Sequence, residues 1–260
     1  MDLITSRDNR FIKEAKSLCT KEGRNEKGMF LAEGYRNVKD AYKKGADIAY
    51  VLIQDGCSYD LSFLEGVRSF TLAKRIFDYV SDTVTPQGVI AVCKIKEYSF
   101  KDIELDDNSL IVVCENLQDP GNAGTIIRTA DAVGAKAVIM AKGSVDVYNP
   151  KVVRSVMSSL FSVKVIRNKS LDSIFGFLED NKIQSVGGAL RDGAKNLFET
   201  DITGRCAIFV GNEGNGLSDA AVKRCKTAVK IPMPGNAESL NASVAAGVMM
   251  YEHVRQNNKI

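Results

Sequence analysis

From Ser109 onward the chain repeats one pattern: a short apolar run, a loop, then a stretch with helical spacing. The runs are Leu110 to Cys114, Ala135 to Met140, Val163 to Ile166, Gln184 to Ala189, Cys206 to Val210 and Ala228 to Ile231. Cys206 to Val210 is apolar throughout, as a buried strand is. Helices are predicted between them, at 123–133, near 150–160, at 171–181 and at 218–225, with a final helix over 240–256. Such alternation predicts an α/β fold built on a mostly parallel sheet with helices on both faces.

The first 95 residues predict a smaller α/β unit. Phe11, Ala15 and Leu18 give residues 6–20 a helical stripe, and a charged link follows from Lys21 to Gly28. Met29 to Ala32 reads as a strand, and Glu33-Gly34 as a turn. The next helix buries Val38, Ala41 and Tyr42 and stops at Gly45. Ile48 to Ile53 is a strand, Ala73 to Val80 a helix, and Val89 to Ile95 a strand after the turn Thr85-Pro86-Gln87-Gly88. Residues 96–108 are charged and lack a sustained apolar face, which predicts an interdomain linker. The expected division is therefore 1–95, a linker at 96–108, and 109–260.

Composition excludes several classes. With 260 residues and 45% hydrophobic content the chain can bury one large or two modest cores. Net charge is only +3, but residues 1–44 hold eleven Lys or Arg against seven Asp or Glu. That local excess fits either a solvated helical surface or a nucleic-acid partner. The six cysteines are scattered without a C-x-x-C pair, so neither a disulfide frame nor a zinc site follows. His253 is the single histidine, expected to be solvated at a helix end, and histidine-based chemistry or metal binding has no material to work with. No apolar stretch reaches spanning length and residues 1–10 do not form a signal peptide, so a cytoplasmic protein without membrane contact is expected.

One stretch concentrates the chemistry. The run Cys206 to Val210 ends on Gly211 and opens the loop G-N-E-G-N-G, residues 211–216. Its spacing, G-x-x-G-x-G late in the domain, is not the dinucleotide fingerprint. A second strand stops at Pro232, and P-M-P-G-N-A-E-S-L-N-A-S leads into a helix rich in small residues. Two strand ends and one helix start are expected to wall a single pocket.

Together with N-L-Q-D-P-G-N-A-G-T-I-I-R-T-A-D-A-V-G-A at 116–135, this stretch resembles the SpoU (TrmH-like) branch of the SPOUT RNA methyltransferases, three motifs matching in order. The string F-L-A-E-G-Y-R-N-V-K-D-A at 30–41 is similar to the substrate-binding domain that precedes many SpoU catalytic domains, itself similar to ribosomal proteins that bind bent RNA. The resemblance implies a C-terminal domain with a deep trefoil knot, which connection rules alone would discount. It implies S-adenosylmethionine as cofactor, no metal, a homodimer formed through the C-terminal domain, and methylation of a ribose 2′-hydroxyl in structured RNA. Ribosomal RNA is the expected substrate, because SpoU enzymes dedicated to tRNA often lack the N-terminal domain. A tRNA enzyme and a non-catalytic RNA-binding or ribosome-assembly factor on the same fold are the alternatives.

Carried over by position, the resemblance implies Arg128, Asn122, Ser239 and Asn241 as catalytic residues. It implies cofactor contacts from Gly211, Ile231 and Leu240, with Gly214, Met233 and Pro234 on the same loops. Glu213 matches an acid that either contacts ligand or pins its loop. Read by themselves, Arg128 is an arginine on a polar helix face, Asn122 a helix N-cap, and Ser239 the N-cap of the last helix. A guanidinium stays protonated, so holding a phosphate and stabilising a developing oxyanion suit Arg128 better than acting as a base.

Overall fold

The computed structural model describes residues 3–191 and 193–257. In the N-terminal part the elements are α1 (Arg10–Ser17), α2 (Lys21–Lys27), β1 (Met29–Glu33), α3 (Tyr35–Lys43), β2 (Ile48–Gln54), β3 (Ser69–Leu72), α4 (Lys74–Val80) and β4 (Val89–Lys94). Then come β5 (Leu110–Cys114), α5 (Pro120–Ala132), β6 (Ala137–Ala141), α6 (Pro150–Val156), β7 (Lys164–Lys169), α7 (Leu171–Asp180) and β8 (Gln184–Gly188). The chain ends with β9 (Lys195–Asn196), β10 (Cys206–Val210), α8 (Asp219–Arg224), β11 (Thr227–Lys230) and α9 (Ala242–Gln256).

Two compact units result, Met1–Lys96 with Asp146–Ser162, and Glu97–Val145 with Val163–Ile260. The first carries a sheet in the order β1-β4-β2-β3, with β4 antiparallel to β1 and β2. Ile12 and Ala15 of α1, with Leu18 just after it, pack on Leu52, Leu72, Phe77 and Ile90. The segment expected to be a charged link is the helix α2. Thr20 caps its start, accepting from the Gly23 amide, and Gly28 at φ 62° ends it. No apolar stripe announces α2, because its buried side chain is a cation. Arg24 donates twice to Asp146 and once to the Leu18 carbonyl, and both charged partners are buried.

Asp146 introduces the larger departure from expectation. The helix near 150–160 is α6 followed by a 3₁₀ turn, and it groups with the N-terminal unit. Tyr148 and Phe161 both stack near Phe30 of β1. The first unit is therefore completed by a segment from the middle of the chain. Tyr42, expected in its core, is 39% exposed.

The second unit holds a seven-stranded sheet in the order β7-β6-β5-β10-β8-β11-β9, every adjacent pair parallel. Along β5, β6 and β10 alternate residues such as Ile111, Val113, Ile139, Ala207 and Phe209 face a core shared with Ile174, Phe175 and Leu178 of α7. Residues 97–108 belong to this core rather than to a free linker. Ile103 is buried in it, Tyr98, Phe100 and Leu105 pack against it, and Phe100 stacks on Phe177. Their irregular spacing follows an extended path around a short 3₁₀ turn, so no period marked them.

The last helix returns to the middle of the sheet. After β11, near one edge, α9 comes back to pack on α5 and β10, the return that a trefoil in this half of the chain requires. This burial corrects the expectation for His253. It is fully buried, and its Nε2 lies 2.9 Å from the Gly204 carbonyl oxygen.

Candidate active site

Three loops meet at the carboxyl ends of the central strands. The loop after β10 is held shut from inside. Asn212 and Gly216 exchange backbone hydrogen bonds of 3.0 and 2.8 Å, and the Asn212 side-chain oxygen accepts from the amides of Gly214 and Asn215. A Cβ at Gly211 would sit 2.1 Å from the Gly216 carbonyl carbon and 2.2 Å from the Leu217 nitrogen. Glycine is required there because the loop folds back on its own backbone, not only to admit a ligand.

Glu213 pins this loop to the next. Its carboxylate accepts from the amides of Gln118 (3.2 Å) and Asp119 (2.8 Å) and from the Asn122 side chain (3.2 Å). Burial works to raise its pKa, but these donors outweigh it and hold the carboxyl below its usual range. A carboxylate only accepts, so Asn122 must turn its NH₂ toward Glu213 and its oxygen outward. That oxygen takes a 2.9 Å hydrogen bond from the side-chain amide of Asn241. Asn241 in turn caps α9, its oxygen accepting from the Ser243 amide and hydroxyl and from the Val244 amide. Asn241, Asn122 and Glu213 thus form one chain joining three segments far apart in sequence.

This geometry revises two local readings. The N-cap of α5 is Asp119, whose side chain accepts from the Asn122 amide. The N-cap of α9 is Asn241 rather than Ser239. Ser239 is exposed and lines the adjoining cleft.

The cleft has a volume of about 340 Å³ and is walled by the loop 211–217, the ends of β8 and β11, and the start of α9. Gly211, Glu213, Gly214, Ile231, Met233, Ser239 and Leu240 all line it. Pro234 does not: it is exposed and outside the lining. Sequence reasoning missed Ala189, Leu190 and Arg191 at the end of β8 and Met249 on α9. The strand-end rule that singled out β10 and β11 applies equally to β8, their neighbour in the sheet, and would have found the first three.

Arg128 stands apart. Asn122 and Arg128 are six residues apart on α5, about 9 Å along the axis and about 240° around it. The first is buried against the loops, and the second is exposed and outside the cleft lining.

Glu115, at the end of β5, is a further contributor that no motif marked. Its carboxylate accepts from the Ser218 amide (2.8 Å) and hydroxyl (2.6 Å), fastening the far end of the glycine loop. Cys114 beside it offers no nucleophile, since burial pushes its thiol up to about 12. Among the described residues no group of three His, Cys, Asp or Glu is placed to hold a metal ion. No helix among them is long and apolar enough to cross a membrane.

Comparison with known proteins gives a consistent picture. Residues 109–251 match the SpoU rRNA Methylase family, and residues 9–91 match the MRM3-like substrate binding domain. A Bacillus subtilis protein, the 23S rRNA (guanosine(2553)-2′-O)-methyltransferase RlmP, is 34% identical over 98% of this chain and 100% of its own length. The 23S rRNA (uridine(2479)-2′-O)-methyltransferase of Streptomyces viridochromogenes is 33% identical over 97% of this chain and 92% of its own. Among solved structures, an AdoMet-bound rRNA methyltransferase from Sinorhizobium meliloti superposes with a TM-score of 0.88 at 27% identity, covering 98% of this chain and 97% of that one. The SpoU methyltransferase AviRb from Streptomyces viridochromogenes, in complex with AdoMet, gives 0.87 at 32% identity over 95% and 98%.

Proposed function

The chain belongs to the SpoU rRNA methylase family, and from that premise we propose that it moves a methyl group from S-adenosylmethionine to a ribose 2′-hydroxyl of 23S ribosomal RNA. The observation that carries this reading is the chain Asn241–Asn122–Glu213, which draws three separated motifs together beside one cleft. Ribosomal RNA is assigned because relatives aligned over nearly the whole chain, N-terminal unit included, carry ribosomal names. A cytoplasmic location is part of the same proposal.

The residues present fit the cofactor. The cleft volume lies within the usual range for small-molecule sites. Ile231, Leu240 and Met249 give it apolar walls, and the loop 211–217 brings backbone polar groups to its edge. Gly211, Gly214, Ile231, Met233 and Leu240 would hold S-adenosylmethionine, with Glu213 acting on the loop rather than the ligand. When bound, it supplies a methyl group on a positively charged sulfur, an electrophile that needs no metal. The protein's task is alignment and management of charge on the acceptor oxygen. Asn122 and Asn241 fix the floor on which the ribose rests, and Ser239 offers a hydroxyl at the cleft's rim. Arg128 holds a target phosphate and stabilises charge developing on the 2′-oxygen. Pro234 has no role in this account.

Because Arg128 does not line the cleft of its own chain, RNA or a second copy must bring the two together. The dimer assigned here packs across α5 and α9, where α9 leaves Val244 (51%) and Tyr251 (47%) exposed. Sedimentation should give a dimer, and dilution to monomers should cost most of the activity. A fully active monomer rejects this arrangement.

The N-terminal unit, with its basic first 44 residues, is assigned as the RNA-holding part. The test is transfer of labelled methyl from S-adenosylmethionine to 23S ribosomal RNA, with crosslinks mapped from bound RNA. Label should enter ribose 2′-oxygens and crosslinks should reach Met1–Lys96. Label on a base, or none, contradicts the reading.

A further inference from the structure

A second cleft opens on the opposite side of the glycine loop. It has a volume of about 660 Å³ and lies at the carboxyl ends of β5, β6 and β7, lined by Glu115, Asn116, Lys142, Lys169, Ser170 and the outer face of 215–219. The chain runs outward from β5 through β6 to β7 and then crosses to the other half of the sheet, so the cleft flanks the point between β5 and β10 where strand order reverses. Open parallel sheets take their ligands at such points. The cleft described above for the cofactor lies on the β8 and β11 side instead.

The charges in this second cleft are unequally engaged. Glu115 is buried and committed to Ser218, and Asp219 is ion-paired with Arg191, which also donates to the Leu217 carbonyl. Both acids are thus neutralised or occupied by the protein itself. Lys142 and Lys169 sit side by side, the Lys142 amide bonded to the Lys169 carbonyl at 2.8 Å. No described carboxylate lies within ion-pairing distance of either ammonium; that of Lys169 rests 5.5 Å from the Phe100 ring centroid, and that of Lys142 is exposed. Asn116 and Asn215 add amide groups to the same walls. A polar groove with two uncompensated ammonium groups suits a chain of phosphates. It does not suit an apolar or cationic ligand.

We propose that this groove binds the sugar-phosphate backbone of the substrate RNA next to the methylated nucleotide, through Lys142 and Lys169. The proposal rests on the RNA methyltransferase reading above. The two clefts share Asn212, Asn215, Gly216 and Leu217 of the glycine loop as a common wall, with Arg191 beside them. RNA lying in the groove is therefore separated from the methyl donor by the thickness of one loop. Phosphate contacts there set the register of the strand without reading its sequence.

The test compares Lys142→Ala, Lys169→Ala and the double variant with the intact protein, using a 23S ribosomal RNA fragment that the intact protein methylates. Lys195→Ala with Lys223→Ala removes the same charge from outside both clefts as a control. The double variant should bind the fragment roughly tenfold more weakly at physiological salt, and its log–log salt slope should fall by about one for each lysine. Affinity for S-adenosylmethionine, measured by calorimetry, should be unchanged. Lys142→Arg with Lys169→Arg should restore most of the binding, since a phosphate contact needs the charge. If the intact protein methylates RNA while the double variant matches it or the control pair in affinity and slope, the groove assignment fails alone. An intact protein that methylates no RNA overturns the underlying reading, and the groove with it.

Discussion

Arg128→Ala should lower methyl transfer to RNA by roughly 10² to 10³-fold in single-turnover measurements while leaving cofactor affinity unchanged. Arg128 is exposed on α5 and lines no part of the cofactor cleft, so its removal disturbs neither the cleft walls nor the Asn241–Asn122–Glu213 chain. The loss should therefore fall on the chemical step and on RNA positioning. Arg128→Lys keeps the charge but not the planar fork, and should retain part of the activity. The pH profile separates two mechanisms. If the charge stabilises an oxyanion or holds a phosphate, the lysine variant should lose activity as lysine deprotonates toward the pKa of about 10.4 usual for that side chain. If the residue served as a base, activity should instead rise over the same range. Alanine at the native rate would make Arg128 an ordinary surface arginine.

Gly211→Val should weaken S-adenosylmethionine binding by about a hundredfold or more, because the added carbon has no place to go. The displaced atoms are the backbone of Gly216 and Leu217, which cannot rotate aside as a side-chain tip would. Relief requires opening the loop that Asn212 closes, and that loop is one wall of the cleft. Gly176→Ala provides the contrast, since nothing lies within 4 Å of the new carbon on α7. Calorimetry reads the affinity, and circular dichroism with thermal melting shows that the sheet is intact. A folded Gly211→Val protein with native affinity would remove the loop from the binding site.

The larger architecture was legible because the central strands β5, β6 and β10 are buried on both faces and announce themselves as apolar runs, with the flanking strands recurring at the same spacing. All six runs from Leu110 onward became strands, and the loop ends they pointed to gather on one edge of the sheet. What failed was whatever lacked a period. Residues 97–108 wrap the core by an extended path, and α2 buries an arginine instead of an apolar stripe. The exchange of 146–162 into the N-terminal unit depends on Arg24 meeting Asp146 across 122 residues, which no local pattern encodes. Caps were misassigned by two or three residues for a related reason. Asp119 and Asn122 are both good capping types, as are Ser239 and Asn241, and only the path of the backbone chooses between them. His253 was misjudged from its place near the end of the sequence. Its helical neighbours Ala246, Met249, Met250 and Val254 are buried with it, and that apolar company marks the covered face of α9.

The central claim is methylation of a ribosomal ribose, and mapping 2′-O-methyl groups across 23S ribosomal RNA from cells with and without the gene tests it most directly. The account predicts one 2′-O-methyl group that disappears with the gene and returns when the intact gene, but not the Arg128→Ala form, is restored. Identical 2′-O-methyl maps in the two RNAs, or a lost modification confined to a base, would contradict it.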